Sequence, residues 1–240
     1  MVGRGVAVPA GLMAGLVAGL VAGLVVGTAL PAIPAQAAKV NCAKAKCLAL
    51  TFDDGPGKTT PELLKVLKKA KVKATFFVMG KQVERRPAVL RKTVADGHAI
   101  GNHTYGHPSL PSLMDEQVTT ELRLTQEIVE RVAGITPKMF RPPYGHTDER
   151  IVELAAQEGM SQVMWTGTTL DWQSRDVRKI KAAVLRLARR DGVILMHETV
   201  PQTVRAMPEI IKELKKRGYT LVTVPQLAGG KKLAPGMVYP

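Results

Sequence analysis

Two adjacent carboxylates and a spaced pair of histidines have the residue types and spacing that bind a metal ion. Asp53 and Asp54 follow the apolar run 47–50 and lead into a Gly-Pro turn. Burying unpaired carboxylates is costly or forces them to take up protons, and a metal ion or acid–base chemistry is the usual compensation. His103 and His107 stand four positions apart in Gly-Asn-His-Thr-Tyr-Gly-His-Pro. Two imidazoles and one carboxylate leave coordination positions open, so the sequence predicts a catalytic metal triad.

The ligand types also indicate which metal would bind. An Asp-Asp-Gly sequence alone would suit Mg²⁺ in phosphoryl transfer, but two nearby histidines favour zinc, with cobalt or another divalent ion as the alternative. The sequence contains no Walker-type phosphate loop, no Gly-x-Gly-x-x-Gly and no Gly-x-Ser-x-Gly element. Nucleotide-binding and serine-esterase functions are therefore disfavoured.

Three further polar residues are candidates for proton transfer or for orienting it. Arg141 precedes two prolines, and its guanidinium would either form a structural ion pair or keep the non-ligating aspartate ionised as a general base. His197 ends an apolar segment and is either a buried core histidine or a general acid whose ring is held by Asp171. We assign no role to His98 or His146.

Apolar bursts alternate with amphipathic stretches along most of the chain. The bursts predict seven strands, at 48–52, 74–78, 98–101, 138–141, 162–166, 193–196 and 220–223. The amphipathic stretches predict helices at 61–69, 87–95, 115–132, 148–158, 177–190 and 204–217. This alternation favours an α/β fold with a parallel sheet curled into a distorted (β/α) barrel.

The predicted strands would bring the candidate residues together. The carboxyl ends of parallel strands share one rim, which is where such folds carry their chemistry. The two aspartates, the two histidines, Arg141, Asp171 and His197 all follow strands. The convergence of five separated segments on one rim is a stronger signal than any single motif.

The first 37 residues have the composition of an export signal. Arg4 is their only charged residue, 11–27 is rich in Gly, Ala, Leu and Val, and 35–37 reads Ala-Gln-Ala, a small-x-small cleavage site. The alternative is an uncleaved membrane anchor, since the apolar stretch is long enough to cross a bilayer. We expect cleavage and secretion, one domain over 38–228, and a loose tail at 229–240.

The chain is strongly basic, with 34 Lys and Arg against 20 Asp and Glu among 240 residues. For an exported protein, this charge favours attraction to an anionic cell wall, although much of it could simply be solvated helix surface. No stripe of basic and aromatic residues suited to nucleic acid accompanies it. The two cysteines, Cys42 and Cys47, are expected to form a short structural disulfide in an oxidising compartment.

Taken in order, these segments resemble a known family. Thr-Phe-Asp-Asp-Gly-Pro at 51–56, His-Thr-Tyr-Gly-His at 103–107, Arg-Pro-Pro-Tyr-Gly at 141–145, Asp-Trp at 171–172 and Leu-Met-His at 195–197 resemble the five motifs of polysaccharide deacetylases with a NodB-homology domain, carbohydrate esterase family 4. The resemblance covers about residues 45–225. It implies a distorted barrel, in agreement with the strand and helix pattern.

The resemblance also implies a role for each motif residue. Asp53 would be the general base toward water and His197 the general acid for the departing amine, with Arg141 orienting the first and Asp171 the second. The metal, usually zinc, would be held by three side chains, those of Asp54, His103 and His107.

Three more motif residues would contact the substrate. The backbone N–H of Tyr144 would help to stabilise the tetrahedral oxyanion, and Trp172 and Leu195 would line the pocket for the acetyl methyl and the sugar. Two positions depart from the family pattern: Thr168 replaces a frequent acidic residue, and Glu198 stands where Asp is common. These departures bear on substrate preference and on charge behind the site.

Together with the predicted export signal, the resemblance implies a secreted, metal-dependent deacetylase that hydrolyses N-acetyl groups of peptidoglycan or chitin-type polymers and releases acetate. An O-acetyl esterase acting on xylan is the alternative within the enzyme class. A non-catalytic protein that binds glycan or cell wall is the alternative outside it. The groove loops 107–113 and 166–175 would distinguish these substrates. We expect a monomer.

Overall fold

The computed structural model describes residues 40–229 and 233–240. The predicted export signal lies outside the described residues. Within them, no helix combines the length and the apolar character needed to cross a bilayer. Cys42 and Cys47 form a disulfide, as predicted, directly before the first strand.

The described residues form nine strands and nine α-helices. The strands are β1 (Cys47–Gly55), β2 (Thr75–Val78), β3 (Ala99–Asn102), β4 (Met139–Phe140), β5 (Ser161–Val163), β6 (Gly167–Thr168), β7 (Gly192–His197), β8 (Thr220–Val222) and β9 (Val238–Tyr239). The helices are α1 (Thr60–Lys69), α2 (Gly80–Arg85), α3 (Pro87–Ala95), α4 (Asp115–Ala133), α5 (Glu149–Gln157), α6 (Asp171–Ser174), α7 (Val177–Leu187), α8 (Pro201–Lys216) and α9 (Val224–Ala228).

All strand pairs in the described residues are parallel, in the order β6-β7-β1-β2-β3-β4-β5-β9, with β8 paired to β1. The sheet is curled, and the predicted α/β class and distorted-barrel architecture are confirmed. Strand β1 is central because it pairs with β7 along one side, and with β8 and then β2 along the other.

Side-chain alternation along β1 separates the core from the site. Leu48, Leu50 and Phe52 are fully buried in the main apolar cluster with residues of α1 and α8. Successive side chains on a strand point to opposite faces, so Thr51 and Asp53 point the other way. The same strand thus anchors the helices on one face and presents polar groups on the other.

The predicted strand 162–166 is wrong as a single element. The structure ends β5 at Val163 and begins β6 at Gly167. The carbonyls of Val163 and Met164 accept hydrogen bonds from the guanidinium of Arg141 at 3.1 and 2.7 Å. A side chain distant in sequence therefore satisfies this part of the backbone, and the strand is interrupted.

The predicted loose tail is also wrong for its last residues, because Val238–Tyr239 form β9 beside β5. The backbone N–H of Gln162 donates to Met237 O at 2.8 Å, and the ring of Tyr239 is buried. An edge strand has unpaired backbone groups, and β9 satisfies those of β5. Two residues are too short a segment to be recognised by alternation.

Candidate active site

The end of β1 places two carboxylates at the rim of the sheet. Asp53 is 2% exposed and lies opposite His197 in the β1–β7 register. Asp54 has a φ of 71°, in the left-handed region, and the β1–β2 register shifts between Asp53 and Gly55. Asp is among the residues that tolerate this conformation best. The backbone thus leaves its extended path here, and the two adjacent side chains occupy one site.

A tight turn after β3 brings the two histidines together. Thr104 and His107 both have positive φ, at 64° and 67°. Asn102 Oδ1 accepts from the N–H of Thr104 at 2.8 Å, and Thr104 Oγ1 accepts from the N–H of His107 at 3.0 Å. The ring centroids of His103 and His107 are 4.9 Å apart. The pair therefore lies on a loop rather than on a helix.

Three side chains form a cluster that fits a divalent metal ion. The Nε2 atoms of His103 and His107 each lie 3.4 Å from Asp54 Oδ1, and one ligand atom from each residue falls within 4.8 Å of the others. Asp54 Oδ1 is buried without a hydrogen-bond partner in the described residues. Buried polar atoms are normally satisfied. A cation held by these three atoms would satisfy this oxygen.

The hydrogen bonding of His103 supports the same ligand set. Its Nδ1 lies 2.7 Å from the carbonyl oxygen of Arg141, an acceptor that requires a proton on Nδ1. In the neutral tautomer, a proton on Nδ1 leaves Nε2, which faces Asp54, with a free lone pair. Ligand histidines characteristically have their second nitrogen fixed in this way.

The charges in this cluster favour an ionised Asp54. Burial opposes ionisation, but the imidazoles of His103, His197 and His107 outweigh it and lower the pKa of Asp54 to about 2. Burial and the neighbouring His103 lower the pKa of His107. The site thus combines an anionic oxygen with an imidazole that resists protonation, as metal binding requires.

Arg141 fixes the other carboxylate. Its side chain is completely buried, and Nη1 donates at 2.8 Å both to Asp53 Oδ1 and to Thr51 Oγ1. The guanidinium carbon lies 4.0 Å from the centroid of the Phe77 ring, within the range of a cation–π contact. Asp53 Oδ2 forms no hydrogen bond within the described part of the chain, so this oxygen is available to a substrate or water.

His197 and Asp171 form the third group of the site. His197 Nδ1 lies 2.7 Å from Asp171 Oδ1, while the His197 backbone N–H and the Thr203 hydroxyl donate to Asp171 Oδ2 at 2.7 and 2.6 Å. Burial favours the neutral ring, but the hydrogen bond and charge of Asp171 outweigh burial and raise the pKa of His197 to about 9. This environment favours the imidazolium form at neutral pH.

These groups surround a cavity of about 550 Å³. Exposed apolar side chains form its rim, with Tyr144 63%, Trp172 53% and Leu170 45% exposed. Leu195 lines the interior. An aromatic rim above a polar floor suits a sugar ring, which has apolar faces as well as hydroxyl groups.

The structure brings together all the residues that the sequence predicts for the site. Eight of them line the cavity, namely Asp53, Asp54, His103, His107, Tyr144, Trp172, Leu195 and His197. Arg141 and Asp171 lie behind this lining and contact Asp53 and His197. His146 instead approaches Ser109, 3.0 Å from its hydroxyl.

Sequence reasoning missed four contributors. Trp165 and Leu170 line the cavity, and Thr51 and Thr203 hydrogen-bond to Arg141 and Asp171. The aromatic type of Trp165, near the carboxyl end of the predicted strand 162–166, was an available signal. The two threonines had none, because their roles depend on partners far away in sequence.

Comparison with known proteins gives consistent matches. The sequence profile of a family described as polysaccharide deacetylase matches residues 40–163. The chain is 38% identical over 185 residues to a peptidoglycan-N-acetylglucosamine deacetylase of Bacillus cereus, covering 75% of this chain and 67% of that protein. It is 39% identical over 188 residues to the peptidoglycan-N-acetylmuramic acid deacetylase PdaC of Bacillus subtilis, covering 78% of this chain but only 40% of the relative.

A solved structure supports the same relationship. The structure described as T48 deacetylase with substrate superimposes with a TM-score of 0.81 at 40% identity. The match covers 84% of this chain and 100% of that one. Similarity thus extends over most of the described residues.

Proposed function

This chain belongs to the polysaccharide deacetylase family, and we propose that it is a secreted, metal-dependent enzyme that hydrolyses the N-acetyl groups of peptidoglycan amino sugars. The observation that carries the proposal is the joint presence of three arrangements around one cavity. These are the Asp54–His103–His107 cluster, the Asp53–Arg141 pair and the His197–Asp171 pair.

The chemistry follows from the hydrogen bonding of the two proton carriers. Asp53 Oδ1 is held by Arg141, so Oδ2 serves as the general base for a water molecule that attacks the acetamide carbonyl. His197 Nδ1 is held by Asp171, so Nε2 carries the proton that the amine nitrogen takes up as the C–N bond breaks. General acid–base catalysis of this kind contributes about 10²- to 10⁴-fold.

The remaining groups hold the ion and the substrate. Asp54, His103 and His107 would hold a divalent cation, for which the two imidazoles favour zinc. When bound, such a cation supplies Lewis acidity, which polarises a carbonyl and makes water more acidic. We further propose that the N–H of Tyr144 stabilises the developing oxyanion, and that Trp172 and Leu195 receive the sugar and the acetyl methyl.

The charge of the surface supports peptidoglycan as the substrate. Peptidoglycan carries carboxylates, whereas chitin is neutral. A second cavity of about 500 Å³ shares Leu170 with the catalytic cavity and is lined by Lys179 and Arg186. Both cations lie on α7, which contains four basic residues and no acidic one. The relatives described above also act on peptidoglycan, according to their names.

The N-terminal composition supports export, and the net charge supports attraction to an anionic cell wall. Both belong to this proposal. The disulfide is consistent with an oxidising compartment.

The deciding experiment measures acetate release by the purified protein from peptidoglycan, chito-oligosaccharides and acetylxylan, with and without chelator. Chelator-sensitive release from peptidoglycan is expected. Release from acetylxylan alone would replace the proposal with an O-acetyl esterase. No release from any substrate would favour a non-catalytic glycan-binding protein.

The preference for an anionic polymer has its own test. Replacing Lys179 and Arg186 together by Gln is expected to lower kcat/KM on peptidoglycan and to leave kcat/KM on neutral chito-oligosaccharides unchanged. Lys92 lies on α3 and pairs with Asp96, directly after that helix, and Lys92→Gln is the control. Equal losses on both substrates would contradict electrostatic recognition by this cavity.

A further inference from the structure

Glu198 has a carboxyl group in the protein interior, and the proposed chemistry gives this group no role. It directly follows His197 at the end of β7, and its side chain is completely buried. Its Oε1 accepts a hydrogen bond from the Thr60 hydroxyl at 3.0 Å, whereas Oε2 is buried without a partner in the described residues. An ionised carboxylate in such a place normally pairs with a cation.

In the part of the chain that the structure describes, no such cation pairs with Glu198. Within the described residues, no Lys, Arg or His nitrogen lies within 4.0 Å of this carboxyl group, although such nitrogens do lie this close to Asp53, Asp54 and Asp171. Burial, together with the negative charges of Asp53 and Asp54, raises the pKa of Glu198 well above its ordinary value. Geometry and charge thus both favour the neutral acid.

The Glu198 carboxyl fills a space that only a glycine leaves open. A Cβ atom built on Gly55 would lie 1.4 Å from Glu198 Oε1 and 2.3 Å from its Cδ. The φ angle of Gly55 is outside the left-handed region. The backbone there would thus accept another residue, and it is Glu198 that excludes one.

The same residue connects the segments that follow two catalytic strands. The Thr59 hydroxyl donates to the backbone carbonyl of Glu198, and the Thr60 hydroxyl both donates to its side chain and accepts from the N–H of Gly57 at 2.8 Å. The turn after β1, which starts beside Asp54, is thereby attached to the residue that follows His197.

We propose that Glu198 is a positioning residue which, as a neutral carboxylic acid seated on Gly55, fixes the end of β1 against the end of β7. It thereby sets the geometry of Asp53 and Asp54 relative to His197, whose Nε2 lies 4.0 Å from Asp54 Oδ2. A neutral acid achieves this without adding a third negative charge beside the two aspartates. The catalytic part of this inference depends on the proposed deacetylase function.

The protonation state is tested without any substrate. Infrared spectra of the wild type minus Glu198→Gln at neutral pH are expected to show the carbonyl band of a protonated carboxylic acid. Its absence, with a carboxylate band in its place, would overturn the inference. This outcome does not depend on whether the protein is a deacetylase.

The positioning role is tested by steady-state kinetics on whichever of peptidoglycan, chito-oligosaccharides and acetylxylan the wild type hydrolyses best. Glu198→Gln, which keeps shape and neutrality, is expected to retain kcat within about twofold. Glu198→Ala is expected to lower kcat by about ten- to a hundredfold with little change in KM, the scale of misplaced catalytic groups. Glu198→Gln as inactive as Glu198→Ala would make Glu198 a proton carrier, and unchanged kcat in Glu198→Ala would remove it from the mechanism.

A second set of variants covers the case in which Glu198→Ala does not fold. Thr60→Val removes the hydroxyl that binds Glu198, with Thr60→Ser as its matched control, and only Thr60→Val is expected to lower kcat. Gly55→Ala is expected to be destabilised, and Gly55→Ala combined with Glu198→Ala to melt at a higher temperature than Gly55→Ala alone. No such recovery would contradict the contact between Gly55 and Glu198.

Discussion

The two sides of the catalytic cavity differ in how completely their polar atoms are satisfied. On one side, called the closed side below, Arg141 holds Asp53 Oδ1 and Asp171 holds His197 Nδ1, in networks with contacts of 2.6 to 2.8 Å. On the other side, Asp54 Oδ1 has no hydrogen-bond partner in the described residues, and the imidazoles approach it only to 3.4 Å. The protein's own hydrogen bonds thus orient Asp53 and His197 on the closed side. The side of Asp54, called the open side, has the character of a site that a ligand completes.

The largest effect is expected when a side chain proposed to bind the metal ion is removed from the open side. His103→Ala is expected to abolish both stoichiometric zinc binding and detectable deacetylation, because two ligands rarely retain a zinc ion. Metal content by atomic emission and acetate release are the measurements. His98→Asn, which changes a histidine away from the cavity, is the control and should keep its zinc. A His103→Ala protein with full zinc occupancy would contradict the ligand set.

On the closed side, the next largest effect is expected at Asp53, the proposed general base. Asp53→Asn keeps an oxygen for Arg141 but cannot accept a proton, so kcat is expected to fall by about a hundredfold or more. Zinc content should stay near the wild-type level, in contrast to His103→Ala. Unaltered turnover would exclude Asp53 from the mechanism.

Asp171→Asn should change the proton affinity of His197, the proposed general acid, rather than that of Asp53, the proposed general base. The pKa of His197, raised from 6.5 to about 9, is expected to fall toward or below 6.5, which NMR titration of the metal-free protein measures. The pKa of His197 is higher in the folded protein than in the unfolded chain. The stabilisation that the His197–Asp171 pair gives the fold is therefore complete below pH 6.5 and is lost as the pH rises through 9. kcat should fall by about tenfold or more. Thr203→Ser keeps the hydroxyl and is the control.

The smallest effect concerns stability away from the cavity. Burial and the nearby Lys73 lower the pKa of His98 to about 4, and its Nδ1 accepts from the N–H of Ala74 at 3.1 Å. The contribution of the neutral His98 ring to the free energy of unfolding is therefore complete above pH 6.5. Up to about 3 kcal/mol of this free energy is lost as the pH falls from 6.5 toward 4.

His98→Asn provides the comparison, because Asn keeps an acceptor for Ala74 but does not titrate. Chemical denaturation of both proteins at pH 7 and pH 4.5 measures the difference. A wild type that loses no more stability on acidification than His98→Asn would contradict the lowered pKa.

Much of the site could be predicted from the sequence because it depends on strand ends. Asp53, His103, Arg141 and His197 each follow or end an apolar segment, and parallel strands bring such ends to one rim. Motif spacing then identified the candidate ligands and proton carriers. The helices were predictable for the same local reason, with α3 at the predicted residues 87–95.

The features that were missed depend on contacts between distant parts of the chain. Arg141 interrupts the strand between Val163 and Gly167, and Thr203 supports Asp171 from 32 positions away. The seat of Glu198 on Gly55 is also such a contact. Local periodicity contains no information about these pairs.

Because β1 is central but is made first, it must wait for a partner strand that is made late. Thr51, in this first strand, hydrogen-bonds to Ile194, which the ribosome adds 143 residues later. A nascent chain that ends before β7 has both aspartates and both proposed ligand histidines but neither His197 nor the partner for one side of β1. Such a chain is expected to be inactive and to expose a pairing edge to other chains. A chain that ends before β7, and so lacks its last fifth, is therefore expected to aggregate rather than act on glycan.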